Sequence, residues 1–256
     1  MRRLIFGLTL LAILSPALAC AQMKSGSAPE RIDTALQRKI ENAAQNFQGD
    51  VGIYVRHLST GRTASLHDSE LFPTASLVKV PILLAMFQKI EDGEIAYDSN
   101  LVYRDSLLYP GEDIVGSFRD SARIHLSKVI MLMITTSDNT ASLWCQRLAG
   151  TGTVINDWLE KHGFRQTRVN SRTPGREKDR ELFGWGQTTP REMAELLVMV
   201  REGRAVSRAA SEEMYRILTR IYWNGEALSQ IPPWIQAASK QGAVDRSTGE
   251  IGRAHV

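Results

Sequence analysis

Stretches that read as strands lie near opposite ends of this chain, and the long centre between them carries the apolar spacing of helices. Val51, Ile53 and Val55 alternate with Gly52, Tyr54 and Arg56, the period-two pattern of a strand. Ser59-Thr60-Gly61 then turns the chain into a second short strand. Ala237–Val244 and Glu250–Val256 read as two more strands around the polar turn between them. Helices are expected at 32–47, 74–90, 126–136, 140–149, 154–162 and 207–221, with one more begun by Pro190 behind a Thr189 cap and with Glu192 in its first turn. Strand-containing ends around a helical middle imply two lobes built from non-contiguous sequence. The expected fold class is α+β. An antiparallel sheet lobe, about residues 30–73 plus 223–256, packs against an all-helical lobe of about residues 74–222, and the site lies at the seam, where ligand clefts form.

Composition bounds the rest. A length of 256 residues allows one large domain or two small ones, and 43% hydrophobic residues are enough for a core. A net charge of +3 with no basic run gives no argument for nucleic acid. Arg2 and Arg3, the apolar run Leu4–Leu14, then Pro16 and Ala17-Leu18-Ala19 form a secretory signal pattern over residues 1–21, with cleavage near Ala19 or Ala21. The run is too short to span a membrane, so no transmembrane span is expected in the mature chain, residues 22–256. The expectation is an exported protein, periplasmic or extracellular. Ala17-Leu18-Ala19-Cys20 is also an imperfect lipoprotein pattern, which leaves a lipid anchor at Cys20 open. After cleavage at Ala21 only Cys145 remains, so no internal disulfide can form. His57, His67, His125, His162 and His255 show no metal spacing, and no metal or other cofactor is expected.

Three short motifs carry the chemistry. Ser76-Leu77-Val78-Lys79 places a serine three residues before a lysine, so on a helix both lie on one face. A serine hydroxyl is a weak nucleophile that needs an adjacent base, and a desolvated lysine can be that base. Alone the pair means little, because S-x-x-K occurs about once by chance in a chain of this length. Ser137-Asp138-Asn139 is rarer, and Lys240-Gln241-Gly242-Ala243 follows it. The information lies in their order and spacing, 61 residues from Ser76 to Ser137 and 103 from Ser137 to Lys240.

With these motifs the chain resembles the penicillin-recognising serine hydrolases, most closely class A β-lactamases. Tyr109-Pro110-Gly111 and Thr188-Thr189-Pro190 are secondary matches, and the resemblance covers roughly residues 30–256. It implies a β-lactamase/transpeptidase-like fold and a monomer acting on a small-molecule β-lactam or cell-wall peptide. It implies Ser76 as nucleophile, Lys79 as base or proton relay, and Ser137 as proton shuttle to the leaving nitrogen. Asn139, Lys240, Gln241, Gly242 and Ala243 would bind substrate, with Lys240 attracting a carboxylate and the backbone N–H groups of Ser76 and Ala243 forming the oxyanion hole. Asp138 is expected to bond loop backbone. Arg253 is a weaker expectation for a second carboxylate contact.

Three departures from the family pattern matter. The E-x-x-L-N glutamate that activates the deacylating water is missing, and the usual spacing lands near Thr173. Glu177 and Glu181 are the nearby acids that could replace it, inside a run, 176–181, that reads as a solvated charged surface. Gln241 stands where the family has a threonine or serine. The family also continues through a further strand and helix beyond the position of Val256, so either a fragment or an exposed sheet edge is expected. The expected function is a serine hydrolase that opens a β-lactam or related amide through a Ser76 acyl-enzyme. The alternatives are a D-Ala-D-Ala peptidase-like or penicillin-binding protein, and a slow-turnover sensor of β-lactams or cell-wall fragments.

Overall fold

The computed structural model describes residues 29–254 apart from 112 and 246, so the leader read over residues 1–21, with Cys20, lies outside the described residues. The chain enters as a two-residue strand, β1 (Arg31–Ile32), which pairs parallel to a later strand with Ile32 opposite Thr63. That pairing delays the first helix. Helix α1 (Thr34–Ala44) starts behind Asp33, whose carboxylate accepts from the N–H groups of Ala35 and Leu36 at 3.2 and 3.0 Å. The alternating segment becomes β2 (Ile53–His57), antiparallel to β3 (Arg62–Leu66), with Ile53 opposite Leu66. A short strand, β4 (Phe72–Pro73), then leads into a 3-10 turn at Ala75–Val78 and helix α2 (Lys79–Glu91).

The expected helix at residues 74–90 is therefore two pieces, a tight turn carrying Ser76 and a longer helix begun by Lys79. Every α2 residue from Lys79 to Phe87 is buried. A helix apolar on all sides belongs at the centre of a fold rather than on its surface. Val80, Ile82, Leu83, Leu84 and Met86 have no exposed surface, and each such side chain contributes about 1.5–3 kcal/mol by leaving water.

The rest packs around that helix. Strands β5 (Asn100–Val102) and β6 (Arg123–His125) form a small antiparallel ribbon. Helices α3 (Leu126–Thr135), α4 (Asn139–Leu148) and α5 (Thr151–Lys161) follow. Strand β7 (Arg168–Val169), helix α6 (Glu177–Phe183) and strand β8 (Gly186–Thr188) come next, with β8 lying between β4 and β7. Thr189 caps α7 (Pro190–Arg201), accepting from Glu192 N–H at 3.1 Å, and Ser207 caps α8 (Arg208–Leu218). The chain closes with the antiparallel hairpin β9 (Ala237–Val244) and β10 (Ser247–Ala254), in which Lys240 faces Ile251.

This is an α+β fold. The strands near the two ends of the chain hydrogen-bond as separate sheets, β1-β3-β2 and β10-β9, and β1 runs parallel to its neighbour. One hydrophobic core reaches from α2 through the helices to Ala238 and Ile251 on the closing hairpin.

Candidate active site

The 3-10 turn positions Ser76. Thr74 N–H donates to Gly186 O at 2.9 Å and Leu77 N–H to Thr74 O at 2.9 Å, tying the turn to β8. Ala75 holds φ +45°, the left-handed region that side chains rarely adopt. Strand β9 lies directly against the turn. A Cβ added at Gly242 would fall 2.7 Å from Ser76 N, 2.8 Å from Thr74 O and 2.9 Å from Leu77 N, so only glycine allows this approach. Side chains at i and i+3 eclipse in a 3-10 turn. Lys79, fully buried, accordingly places Nζ 3.0 Å from Ser76 Oγ.

Lys79 also gathers the second motif. Its Nζ lies 3.0 Å from Ser137 Oγ and 2.8 Å from Asn139 Oδ1, and it touches Ser137 O. Four oxygens surround one amine that has at most three protons to give. A neutral amine likewise makes three contacts, donating two and accepting one from a hydroxyl through its lone pair. Burial favours that form and pushes the pKa of Lys79 down to about 7, against the opposing charges of Asp113 and Asp138.

Ser137 sits in the short loop between α3 and α4 with φ +62°. Two carboxylates hold the loop. Asp138 accepts from Ala141 N–H at 2.7 Å and Val115 N–H at 2.8 Å, bonding loop backbone. Asp113 accepts from Asn139 N–H at 3.0 Å, Thr140 N–H at 2.7 Å and Thr140 Oγ1 at 3.0 Å. Together they satisfy the free N–H groups that open α4 and complement its dipole.

Lys240 completes the cluster from β9. It is fully buried, and its Nζ donates to Gln241 O at 2.7 Å and lies 3.1 Å from both Ser137 Oγ and Gln241 Oε1. Burial, then the charge of Lys79, push its pKa down to about 6, opposed by Glu250. Two ammonium groups aimed at one hydroxyl repel, so near neutral pH the pair holds fewer than two protons. Glu250 also anchors the strand from behind, accepting from Ser239 Oγ and from Ala227 N–H at 2.8 Å.

The structure thus brings Ser76, Lys79, Ser137, Asn139 and Lys240 together, with Gln241 beside them and Gly242 under Ser76. The two remaining acids lie differently. Glu177 and Glu181 are both exposed on α6, and Glu177 is engaged with Gly175 N–H at 3.1 Å. Thr173, where the family spacing lands, is buried and donates to Ser171 O at 3.0 Å. The interior of this loop is instead held by a cation. Arg176 donates to Asn170 Oδ1 at 3.0 and 2.9 Å and to Gln187 Oε1 at 2.7 Å. Arg253 is held by Tyr215 on α8, donating to its hydroxyl at 2.8 Å.

Asp113 was missed from sequence because nothing local links it to a backbone 26 residues away. The cleft walls were missed as well. Tyr222 and Trp223 stack edge to face at 5.0 Å, and Trp223 Nε1 donates to Thr136 O at 2.9 Å. One side of the pair opens on a cavity of about 570 Å³ lined by Asn224, Gly225, Glu226 and Gln241, the other on one of about 360 Å³ lined by Asp113, Ile114, Thr136 and Asp138. Among the described residues no group of acids, histidines or cysteines could hold a metal ion, and no helix is long and apolar enough to cross a membrane.

Comparison with known proteins follows the same lines. Residues 35–255 match the profile of the β-lactamase enzyme family. β-Lactamase VEB-1 of Pseudomonas aeruginosa is 20% identical over 219 residues, covering 84% of this chain and 73% of that protein. The β-lactamase regulatory protein BlaB of Streptomyces cacaoi is 31% identical over 109 residues, 42% of this chain and 35% of that protein. The structure of PBP-A superposes with a TM-score of 0.81 at 25% identity, covering 90% of this chain and 85% of that one, as does a PBP-A mutant solved as an acyl-enzyme complex with penicillin G.

Proposed function

The chain belongs to the β-lactamase enzyme family, of the class A-like kind, and from that premise we propose that it opens a β-lactam or related amide through an acyl-enzyme on Ser76. One observation carries the reading. A single buried amine, Lys79 Nζ, stands 3.0 Å from both Ser76 Oγ and Ser137 Oγ. Burial leaves part of it neutral near pH 7, and in that form it takes the Ser76 proton as Oγ attacks the carbonyl carbon. The N–H groups of Ser76 and Ala243 receive the developing oxyanion. The proton then passes from Lys79 through Ser137 to the leaving nitrogen as the C–N bond breaks. Lys240 and Gln241 meet the substrate carboxylate, whose charge restores the Lys240 ammonium, and Asn139 orients the substrate amide.

Deacylation is the slower half. Water must attack the ester, and the acids at Glu177 and Glu181 face solvent on α6. Slow turnover supports a second reading, a penicillin-binding or sensing protein that stays acylated. The similarity to PBP-A, one form of which was solved as an acyl-enzyme, and to a protein named as a β-lactamase regulator favours it. Residues 1–21 are assigned as a leader, with the mature chain of residues 22–256 a single periplasmic or extracellular unit, and a monomer.

Intact-mass spectrometry with a penicillin, followed over time, tests this. One adduct per chain should form and decay slowly, and Ser76→Ala should remove it. An adduct that survives in Ser76→Ala overturns the nucleophile, and rapid linear hydrolysis without an accumulated adduct overturns the slow deacylation.

A further inference from the structure

Neighbouring side chains on a strand point to opposite faces, so Lys240 and Gln241 should not meet. Here they do. The Gln241 side chain folds back along β9 and sets Oε1 3.1 Å from Lys240 Nζ, and its main-chain O lies 2.7 Å from the same nitrogen. Ser137 Oγ, at 3.1 Å, is the third partner.

These three contacts saturate the amine in either charge state. An ammonium has three protons, and three oxygens take them. A neutral amine gives its two protons to the Gln241 oxygens, which can only accept, and accepts from the Ser137 hydroxyl through its lone pair. Neither form keeps a hydrogen for a substrate. Lys240 has no exposed surface, whereas Gln241 is half-buried and lines the larger cavity beside Tyr222 and Trp223. A carboxylate entering from that cavity therefore meets the Gln241 amide before it meets the lysine.

The amide oxygen and the carboxylate compete for one proton of Lys240. The carboxylate makes the stronger bond because it is charged, but it gains only the difference between the two. Threonine, usual at this place in the family, carries its hydroxyl on Cβ. Glutamine carries Oε1 two carbons further out, so threonine is too short to fold back onto Nζ.

We propose that Gln241 sets specificity at this end of the substrate: its side-chain oxygen caps Lys240 at rest, an incoming carboxylate must displace it, and selection for a carboxylate over a neutral group is thereby weakened. This rests on the acyl-transfer reading of Ser76. Once displaced, the amide gives the carboxylate one N–H at the half-exposed mouth of the site. Water competes there, so less is returned than the buried cap withholds.

Benzylpenicillin and its methyl ester differ only in that carboxylate. The quantity to measure is the ratio of their second-order acylation rates, which cancels any general change in the reactivity of Ser76. Gln241→Thr and Gln241→Ala should each raise the ratio roughly three- to tenfold above that of the parent, the scale of one hydrogen bond. Gln241→Glu, which caps the lysine with a charge, should lower it. Were Gln241 simply a donor to the carboxylate, Gln241→Ala would lower the ratio instead. A ratio that fails to rise at least twofold in both shortened variants, or that rises in Gln241→Glu, overturns the proposal. If neither compound labels Ser76, the acyl-transfer reading fails instead, and the cap is read chemically. Acetic anhydride followed by peptide mass mapping should acetylate Lys240 several-fold faster in Gln241→Ala than in the parent, with Lys79 as the internal reference. Equal labelling there would overturn the cap independently.

Discussion

Replacing Gly242 by alanine is the sharpest test of how β9 and the Ser76 turn make one site. The new Cβ would lie 2.7–2.9 Å from three backbone atoms, Ser76 N, Thr74 O and Leu77 N. Ordinary contact begins near 3.4 Å, so the strand and the turn must separate by about 0.7 Å. No side chain can rotate away to absorb this, because every obstacle is main chain. The cost divides in two. Overpacking of this kind destabilises by about 1–3 kcal/mol. The proposed oxyanion hole spans the same gap, from Ser76 N–H to Ala243 N–H. A displacement near 1 Å costs about 10²-fold in rate, comparable to losing one oxyanion donor. Gly242→Ala should therefore acylate with a fluorescent penicillin roughly 100-fold more slowly while still melting cooperatively at a lowered Tm. Gly249, its partner in the β10-β9 register, is the control. An added Cβ there meets only Leu77 Cδ1, at 3.3 Å, which a flexible side chain can yield. Acylation by Gly242→Ala within twofold of the parent, or an equal loss in Gly249→Ala, would refute the reasoning.

Four further outcomes are expected. The acylation rate should rise with pH through about 7, where Lys79 loses its proton, gaining about tenfold between pH 6 and 8; a flat profile would count against Lys79 as the base. Since the folded state releases this proton before the unfolded state does, the same group should add stability as pH climbs from about 7 toward 10.5 and change nothing below, which denaturant melts would read. Glu177→Gln and Glu181→Gln should leave the rate of adduct decay within twofold of the parent; a tenfold slowing in either would place a deacylating acid on α6 after all. Asp113→Ala should cost about 1–2 kcal/mol in melts and slow acylation, because the opening of α4 and the backbone of Asn139 lose an anchor, and Asp113→Asn should restore part of both.

The elements with a strong local period were legible in the sequence. The core helix, the two helices that flank Ser137 and the closing hairpin all appear within a few residues of the expected positions. What was illegible depended on distant partners. Nothing in Phe72–Pro73 or Gly186–Thr188 marks a strand until the two lie side by side. Residues 176–181 look like a solvated charge run because their outward face is one, yet Glu177–Phe183 forms a helical turn anchored by Arg176 on Asn170 and Gln187. The split of the Ser76 segment into a 3-10 turn and a helix follows from β8 and β9 pressing on it, which no window of residues 74–90 contains. Motif spacing picked out side chains that the fold brings together, but the carboxylates that hold them, Asp113 and Glu250, came only from the packed structure.

Ala75 and Ser137, one beside the proposed nucleophile and one the proposed shuttle, both hold left-handed backbone without being glycine. Each such residue costs on the order of 1–3 kcal/mol and persists only because its surroundings insist on it. Glycine would relax either position at no steric cost. Heat resistance should therefore be easiest to gain at the spots where chemistry can least tolerate it. A laboratory lineage selected only for surviving high temperature should drift toward glycine at position 75 and melt later, whereas a lineage screened for labelling of Ser76 by a penicillin should keep alanine and remain fragile.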